Sequence, residues 1–189
     1  MRYVSIDIET SGLDPDRHSI TQFAAVIDDL KNPYPIEHLP KFNFYVSDPD
    51  RVWQKETINF GKSKTIAKEI HKNGNNVIPK ENLIEVFYEF LLENGFTRYE
   101  GCVYITAAGK NFSGFDHQFI ERLPGYGQKV KIIRRCIDPA VLYLNPEIDD
   151  KVPDMNTCLV RAGIEKIVSH DALEDCIDVV KLVRYMFVD

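Results

Sequence analysis

The stretch VSIDIETSGL, residues 4–13, decides how the rest of the chain is read. Its apolar residues Val4, Ile6 and Ile8 alternate as in a half-buried strand, and Ser5, Asp7 and Glu9 stand between them. Side chains two residues apart on a strand share a face, which puts Asp7 and Glu9 roughly 6–7 Å apart along the chain on one side. A strand this apolar belongs near the middle of a sheet, and its two acids repel each other there. Something is expected to sit between them.

Outward from this stretch, residues 2–9 read as a first strand and GLDPDRHS as a turn marked by Gly12 and Pro15. ITQFAAVIDD reads as a second strand, and PKFNFYVSDP as a third with Phe42, Phe44 and Val46 on one face. The short connections make these antiparallel neighbours. Residues 53–79 are polar and irregular, with a short helix in SKTIAKEIHK. KENLIEVFYEFLLENG is a stronger helix: Leu83, Phe87, Phe90 and Leu91 keep helical spacing, and Gly95 suits its stop. Strand and helix then alternate: GCVYITA a strand, FDHQFIERL a helix, KVKIIRRC a strand, DPAVLYLN a short helix opened by Pro139. DMNTCLVRAGI, with Asp154 as N-cap, and the long HDALEDCIDVVKLVRYMF close the chain. A meander of three strands followed by this alternation implies a mixed sheet with helices on its faces. With no internal repeat and no low-complexity linker, residues 1–189 read as one domain.

The composition, 44% hydrophobic and 28% charged, fits a globular protein. No apolar run approaches the ~20 residues of a membrane span. The chain starts MRYVSIDIE, with acids where a secretory h-region would be, and Cys102, Cys136, Cys158 and Cys176 form no C-x-x-C pair. These features point to a cytoplasmic protein with reduced core thiols and no zinc site. The net charge of −6 is unevenly spread. Residues 51–80 carry seven basic groups against two acids, a net +5 that leaves −11 on the other 159 residues. This basic insert at about 51–80 is either a solvated loop or a binding surface.

Other acids fall on apolar faces. In the last helix Ala172, Cys176, Val179, Val183 and Met186 form a stripe, and Asp175 lies within it, while Glu174 and Asp178 are expected to face solvent. Asp116 shares a face with Phe119, Ile120 and Leu123. A buried carboxylate is costly unless a cation or several donors compensate it. Asp7, Glu9, Asp116 and Asp175 converging on one place would be relieved by divalent cations, and hard oxygen ligands without cysteine favour Mg²⁺ or Mn²⁺.

DIETSGL, NFSGFD and HDALEDC, in this order and at these separations, resemble the three motifs of the DEDDh, or DnaQ-like, 3′–5′ exonucleases. The resemblance spans nearly the whole chain. It implies a ribonuclease H-like α/β fold: a five-stranded mixed sheet, made of a three-strand antiparallel meander plus two parallel strands, flanked by helices. It implies that Asp7, Glu9, Asp116 and Asp175 bind two Mg²⁺ or Mn²⁺ ions and that His170 is the general base. The implied substrate is the 3′ end of single-stranded DNA or RNA, and the product a nucleoside 5′-monophosphate. Thr10, Gly12, Leu13, Asn111 and Phe115 are the implied substrate contacts, with core packing an equal alternative for Phe115. A polymerase or a second copy of the chain is the implied protein partner.

The chain departs from the family pattern in two ways. One more residue than usual separates Asn111 from Phe115, and Gln22 stands where a glutamate is common. Trp53 and Phe60 among the lysines of the insert could stack bases or pin the loop to the core. Two other readings start from the same acids. Haloacid-dehalogenase-like phosphatases pair acids on a first strand as D-x-D-x-T, which the glutamate at position 9 does not match. A non-catalytic ribonuclease H-like recruiting module would not need the full set of four acids and His170.

Overall fold

Strand β1 (Arg2–Thr10) is the axis of the computed structural model, which describes residues 1–57, 63–72, 74–164 and 170–188. It pairs antiparallel with β2 (Ile20–Asp29), and β2 pairs antiparallel with β3 (Lys41–Ser47). Parallel strands extend this meander at both ends: β4 (Val77–Pro79) beside β3, and β7 (Ala107–Ala108) beside β1. The resulting five-stranded sheet has the order β4-β3-β2-β1-β7, with β1 in its interior. Its outer strand β4 comes from the stretch read as irregular, and Ile78 packs against the core from there.

The run GCVYITA is divided. Its first half, β6 (Cys102–Ile105), joins β5 (Arg98–Tyr99) and β8 (Val130–Ile132) in a second sheet, and only its end, β7, reaches β1. The switch falls at Thr106, whose carbonyl accepts from Val4 N at 2.9 Å.

The alternation of β1 separates two cores. Val4, Ile6 and Ile8 pack with Phe23 and Phe42 against α2 (Leu83–Glu93), where the Phe87 ring lies 5.1 Å from Phe23 and 5.2 Å from Phe42. At the end of α2, Gly95 takes φ 78° and Phe96 N donates back to Leu91 O, a left-handed stop that glycine adopts without strain. On the other face Tyr3, Ala24 and Val26 meet α6 (Ala172–Phe187) through Ala172, Cys176, Val179 and Val183.

Two expectations for α6 are corrected. Met186 is 43% exposed and lies beyond the stripe. Asp178 is fully buried rather than solvent-facing, because a second face of α6 is covered by α4 (Pro139–Leu142) and α5 (Met155–Arg161). Leu182, one turn after Asp178, packs there with Tyr143 and Leu159, and Lys181 Nζ reaches Asp178 at 3.0 Å. Asp138 and Asp154 cap α4 and α5, accepting from Ala140 N and Thr157 N.

The helix expected over FDHQFIERL is confined to α3 (Asp116–Ile120). Of the four cysteines, Cys102, Cys158 and Cys176 are buried, Cys136 is half-buried, and none is bridged. No helix among the described residues is long and apolar enough to cross a membrane.

In the basic stretch, α1 (Ser63–Lys72) anchors through Ile66. Arg51 is structural: it donates to Ser19 Oγ at 3.0 Å and to Ile20 O at 2.7 Å, and burial pulls its guanidinium down to about 10. Lys80 pairs with Asp48 at 2.8 Å. Lys62 and Phe60 lie outside the described residues.

Candidate active site

Because β1 alternates, Tyr3, Ser5, Asp7 and Glu9 all face α6, a face that turns from apolar to acidic along its length. Ser5 Oγ donates to Cys176 O at 2.9 Å and Cys176 Sγ to Ala24 O at 3.4 Å, fixing the first turns of α6 over β1 and β2. Asp175 is thereby held opposite the acidic end of β1. Ligand oxygens of Asp7, Glu9 and Asp175 lie within 4.8 Å of one another.

Asp116 is not part of this trio. The β1–β7 pairing ends at Ser5↔Ala108, and further along β1 the Ile8 N–H is taken up by Asp116 Oδ1 at 3.1 Å. Gly109 makes the turn off β1 possible: a Cβ there would lie 2.8 Å from Ile6 O and 3.2 Å from Phe112 Cβ. The chain passes too close to β1 for any side chain at that point.

The electrostatics match the geometry. Burial, then the charges of Asp116, Asp175, Glu9 and Asp171, hold the Asp7 carboxyl well above the usual carboxylate range. Burial pushes Asp116 up to about 7, against the backbone N–H groups of Asp116 and Ile8, which favour its ionised form. Carboxylates that resist ionisation together, with ligand oxygens this close, fit a hard divalent cation.

His170 opens onto the same place. A cleft of about 290 Å³ is lined by Asp7, Asp175 and His170 together with Lys110 and Asn156. His170 sits just before the N-cap Asp171, with a left-handed φ of 50° that is uncommon for a residue bearing a Cβ.

A second cleft, of about 380 Å³, opens beside Glu9 and is more apolar. It gathers Thr10, Leu13 and Phe115 with Gln54 and Thr57 from the start of the basic stretch. Leu13 is 68% exposed and Phe115 half-buried, with its ring 5.1 Å from Phe119. Thr10 Oγ1 donates to Gly12 O at 2.7 Å, so Thr10 shapes the turn as well as the wall. Leu13 N donates to Gln54 Oε1, and Gln54 N to Ser11 O, which ties the insert to that turn.

Gly12 and Asn111 do not join this pocket. Gly12 leaves room for the His18 ring, 2.4 Å from where a Cβ would stand. Asn111 (φ 53°) packs over Gly114 and lines a separate concavity with Arg134 and Arg135. Gln22 is fully buried, stands directly across the β1–β2 pair from Glu9, and donates from Nε2 to Asn43 Oδ1 at 3.0 Å.

Sequence reasoning missed Lys110, Asn156, Gln54 and Thr57. The only signal for Lys110 was its place one residue before Asn111.

The sheet order, the acids of β1 and the helix that brings Asp175 onto them define a ribonuclease H-like fold. Solved nuclease structures superpose on it. Exonuclease I from Methylocaldum szegediense superposes with a TM-score of 0.58 at 20% identity, over 97% of this chain and 40% of that one. E. coli exonuclease I in complex with a dT13 oligonucleotide gives 0.62 at 18%, over 98% and 41%. Cell-death related nuclease 4 (CRN-4) gives 0.65 at 16%, over 98% and 63%. The chain thus spans about two fifths of the exonuclease I chains. No protein-family model and no curated protein matches the sequence.

Proposed function

We propose that this chain is a metal-dependent 3′–5′ exonuclease that removes nucleoside 5′-monophosphates from single-stranded nucleic acid, with DNA favoured over RNA. The observation that carries this reading is the convergence of Asp7, Glu9 and Asp175, with His170 on the same cleft and an apolar pocket beside Glu9. The dT13 oligonucleotide bound by the similar E. coli enzyme supports a single-stranded DNA substrate.

Asp7, Glu9, Asp116 and Asp175 would hold two Mg²⁺ or Mn²⁺ ions. When bound, these supply positive charge at the scissile phosphate and acidify the attacking water. Leu13 and Phe115 receive the terminal base in the apolar cleft and hold the last phosphodiester at the acids. A ring nitrogen of His170 takes the proton of the attacking water as its oxygen bonds to phosphorus. The P–O3′ bond to the penultimate nucleotide breaks, the 3′ oxygen is protonated from solvent, and the terminal nucleotide leaves as its 5′-monophosphate.

The test is a time course on 5′-labelled single-stranded DNA and RNA with Mg²⁺, with EDTA, and with Asp7→Asn. A ladder shortening from the 3′ end, absent with EDTA and with the variant, is the expected result. An intact substrate under every metal would leave a folded recruiting module instead.

A further inference from the structure

The chain after β8 carries a surplus that ends opposite Ala108, the residue paired with Ser5 of β1. β8 pairs with β6 up to Ile132↔Ile105, and pairing next resumes at Ile137↔Ala108. Five steps on one strand run against three on the other, so two extra residues loop outward and carry Arg134 and Arg135. Bulges of this kind re-aim side chains next to functional clefts.

Both arginines are exposed and line a concavity with Asn111, Ser113 and Asp138. Neither has an ion-pair partner among the described residues, whereas Arg51, Arg122, Arg161 and Arg184 are all engaged within the fold. Asp138 does not neutralise them by contact: its two oxygens accept from Asn111 N at 3.0 Å and Ala140 N at 2.9 Å. Lys110, adjacent in the chain to Asn111, lines the cleft of Asp7, His170 and Asp175. Positive groups therefore lead from the acids outward across a protein of net charge −6.

We infer that Lys110, Arg134 and Arg135 form a track for the phosphodiester backbone of a single-stranded polynucleotide, holding nucleotides behind the one at the acids. This rests on the exonuclease reading for its direction but not for its binding. Guanidinium groups suit such a track because they pair with phosphate oxygens in a forked geometry. Arg51 and Lys80 of the basic stretch, by contrast, are committed within the fold.

The test compares wild type, Arg134→Gln/Arg135→Gln and the control Lys64→Gln/Lys68→Gln. Binding is measured by anisotropy on a labelled 12-mer whose 3′-terminal linkages are phosphorothioates, across a series of salt concentrations in Mg²⁺. Turnover is measured separately on the p-nitrophenyl ester of thymidine 5′-monophosphate, which has no phosphates behind the reacting one. The arginine variant is expected to bind the 12-mer about tenfold more weakly, with the log–log salt slope shallower by about 0.7 for each phosphate that the arginines no longer neutralise. Its ester hydrolysis should stay at the wild-type rate. An unchanged affinity and slope, an equal loss in the lysine control, or no binding by wild type would each overturn the track. Weaker binding by the arginine variant with the ester inert to wild type would keep the track and reject the exonuclease reading. An RNA 12-mer run in parallel shows whether the track distinguishes the two backbones.

Discussion

At the scale of single residues, the site sets buried acids against one imidazole. His170 belongs to none of the apolar cores: it precedes the cap of α6, and Asp171 supplies that cap. His170→Ala should therefore leave the melting temperature within ~2 °C, since a 1 kcal/mol change moves a domain of this size by only ~2–4 °C. The same change should lower kcat by ~10²–10⁴, the usual contribution of a positioned proton acceptor. A kcat within a factor of two of wild type would remove His170 from the chemistry. Asp7, Glu9 and Asp175 were legible in the sequence because strand alternation and helix spacing each say which side chains share a face. Lys110 was not legible. It lies in a loop without period, and only the fold carries that loop to the acids.

Among the elements, β1 and α6 were readable from their patterns, and the turn after β7 was not. GCVYITA reads as one strand, but Thr106 hands it from one sheet to another, and no periodicity encodes which neighbour a strand will find. Asp178 misled for a related reason: a helix packed on two faces has no free polar side, and the second cover comes from residues some 20–40 positions away. The turn off β1 depends on Gly109. Gly109→Ala puts a Cβ 2.8 Å from Ile6 O, a backbone atom that cannot rotate away. A loss of ~1–3 kcal/mol by urea unfolding is expected for such overpacking. Activity should fall as well, because the same turn leads to Lys110 and Asp116. An unchanged urea midpoint would mean that the backbone yields there at no cost. The loop between α4 and α5 is fastened differently. Asp149 receives both Arg161 nitrogens at 2.6 and 2.7 Å, and these bonds, with the Asn145 N–H, bring its carboxyl down to about 2. A lowered carboxyl stabilises the fold above its ordinary value near ~3.9, and the contribution fades as pH falls through the folded value. The difference in melting temperature between wild type and Asp149→Asn should be constant from neutral pH down to about pH 5, shrink through about pH 2 and close only below it. A gap that persists at the acid end would mean that the carboxylate charge is not what fastens the loop, and no gap at any pH would mean that Arg161 holds it through Tyr143 O alone.

For the whole molecule, the placement of charge couples stability to the proposed cofactor. The charges of Asp116, Asp175 and Glu9 add to burial in raising the proton affinity of Asp7, so folding without a cation forces like charges together. Any ion that binds only the folded site stabilises by mass action, ~2.7 kcal/mol at a hundredfold excess over Kd, or a rise of roughly 5–10 °C for a chain of this size. Mg²⁺ or Mn²⁺ should produce such a rise in EDTA-stripped protein. Screening alone would relieve part of the same repulsion, so NaCl at matched ionic strength is the necessary comparison. Buried charges are screened much less than exposed ones, and NaCl should reproduce only a small part of the shift. Asp7→Asn separates the two effects further. With one charge of the cluster gone, the stripped variant should melt above stripped wild type, yet gain little from Mg²⁺. If NaCl matched Mg²⁺ in wild type, or if Mg²⁺ stabilised the variant equally, the acids would be a screened cluster rather than a metal centre, and the hydrolytic reading would lose its support.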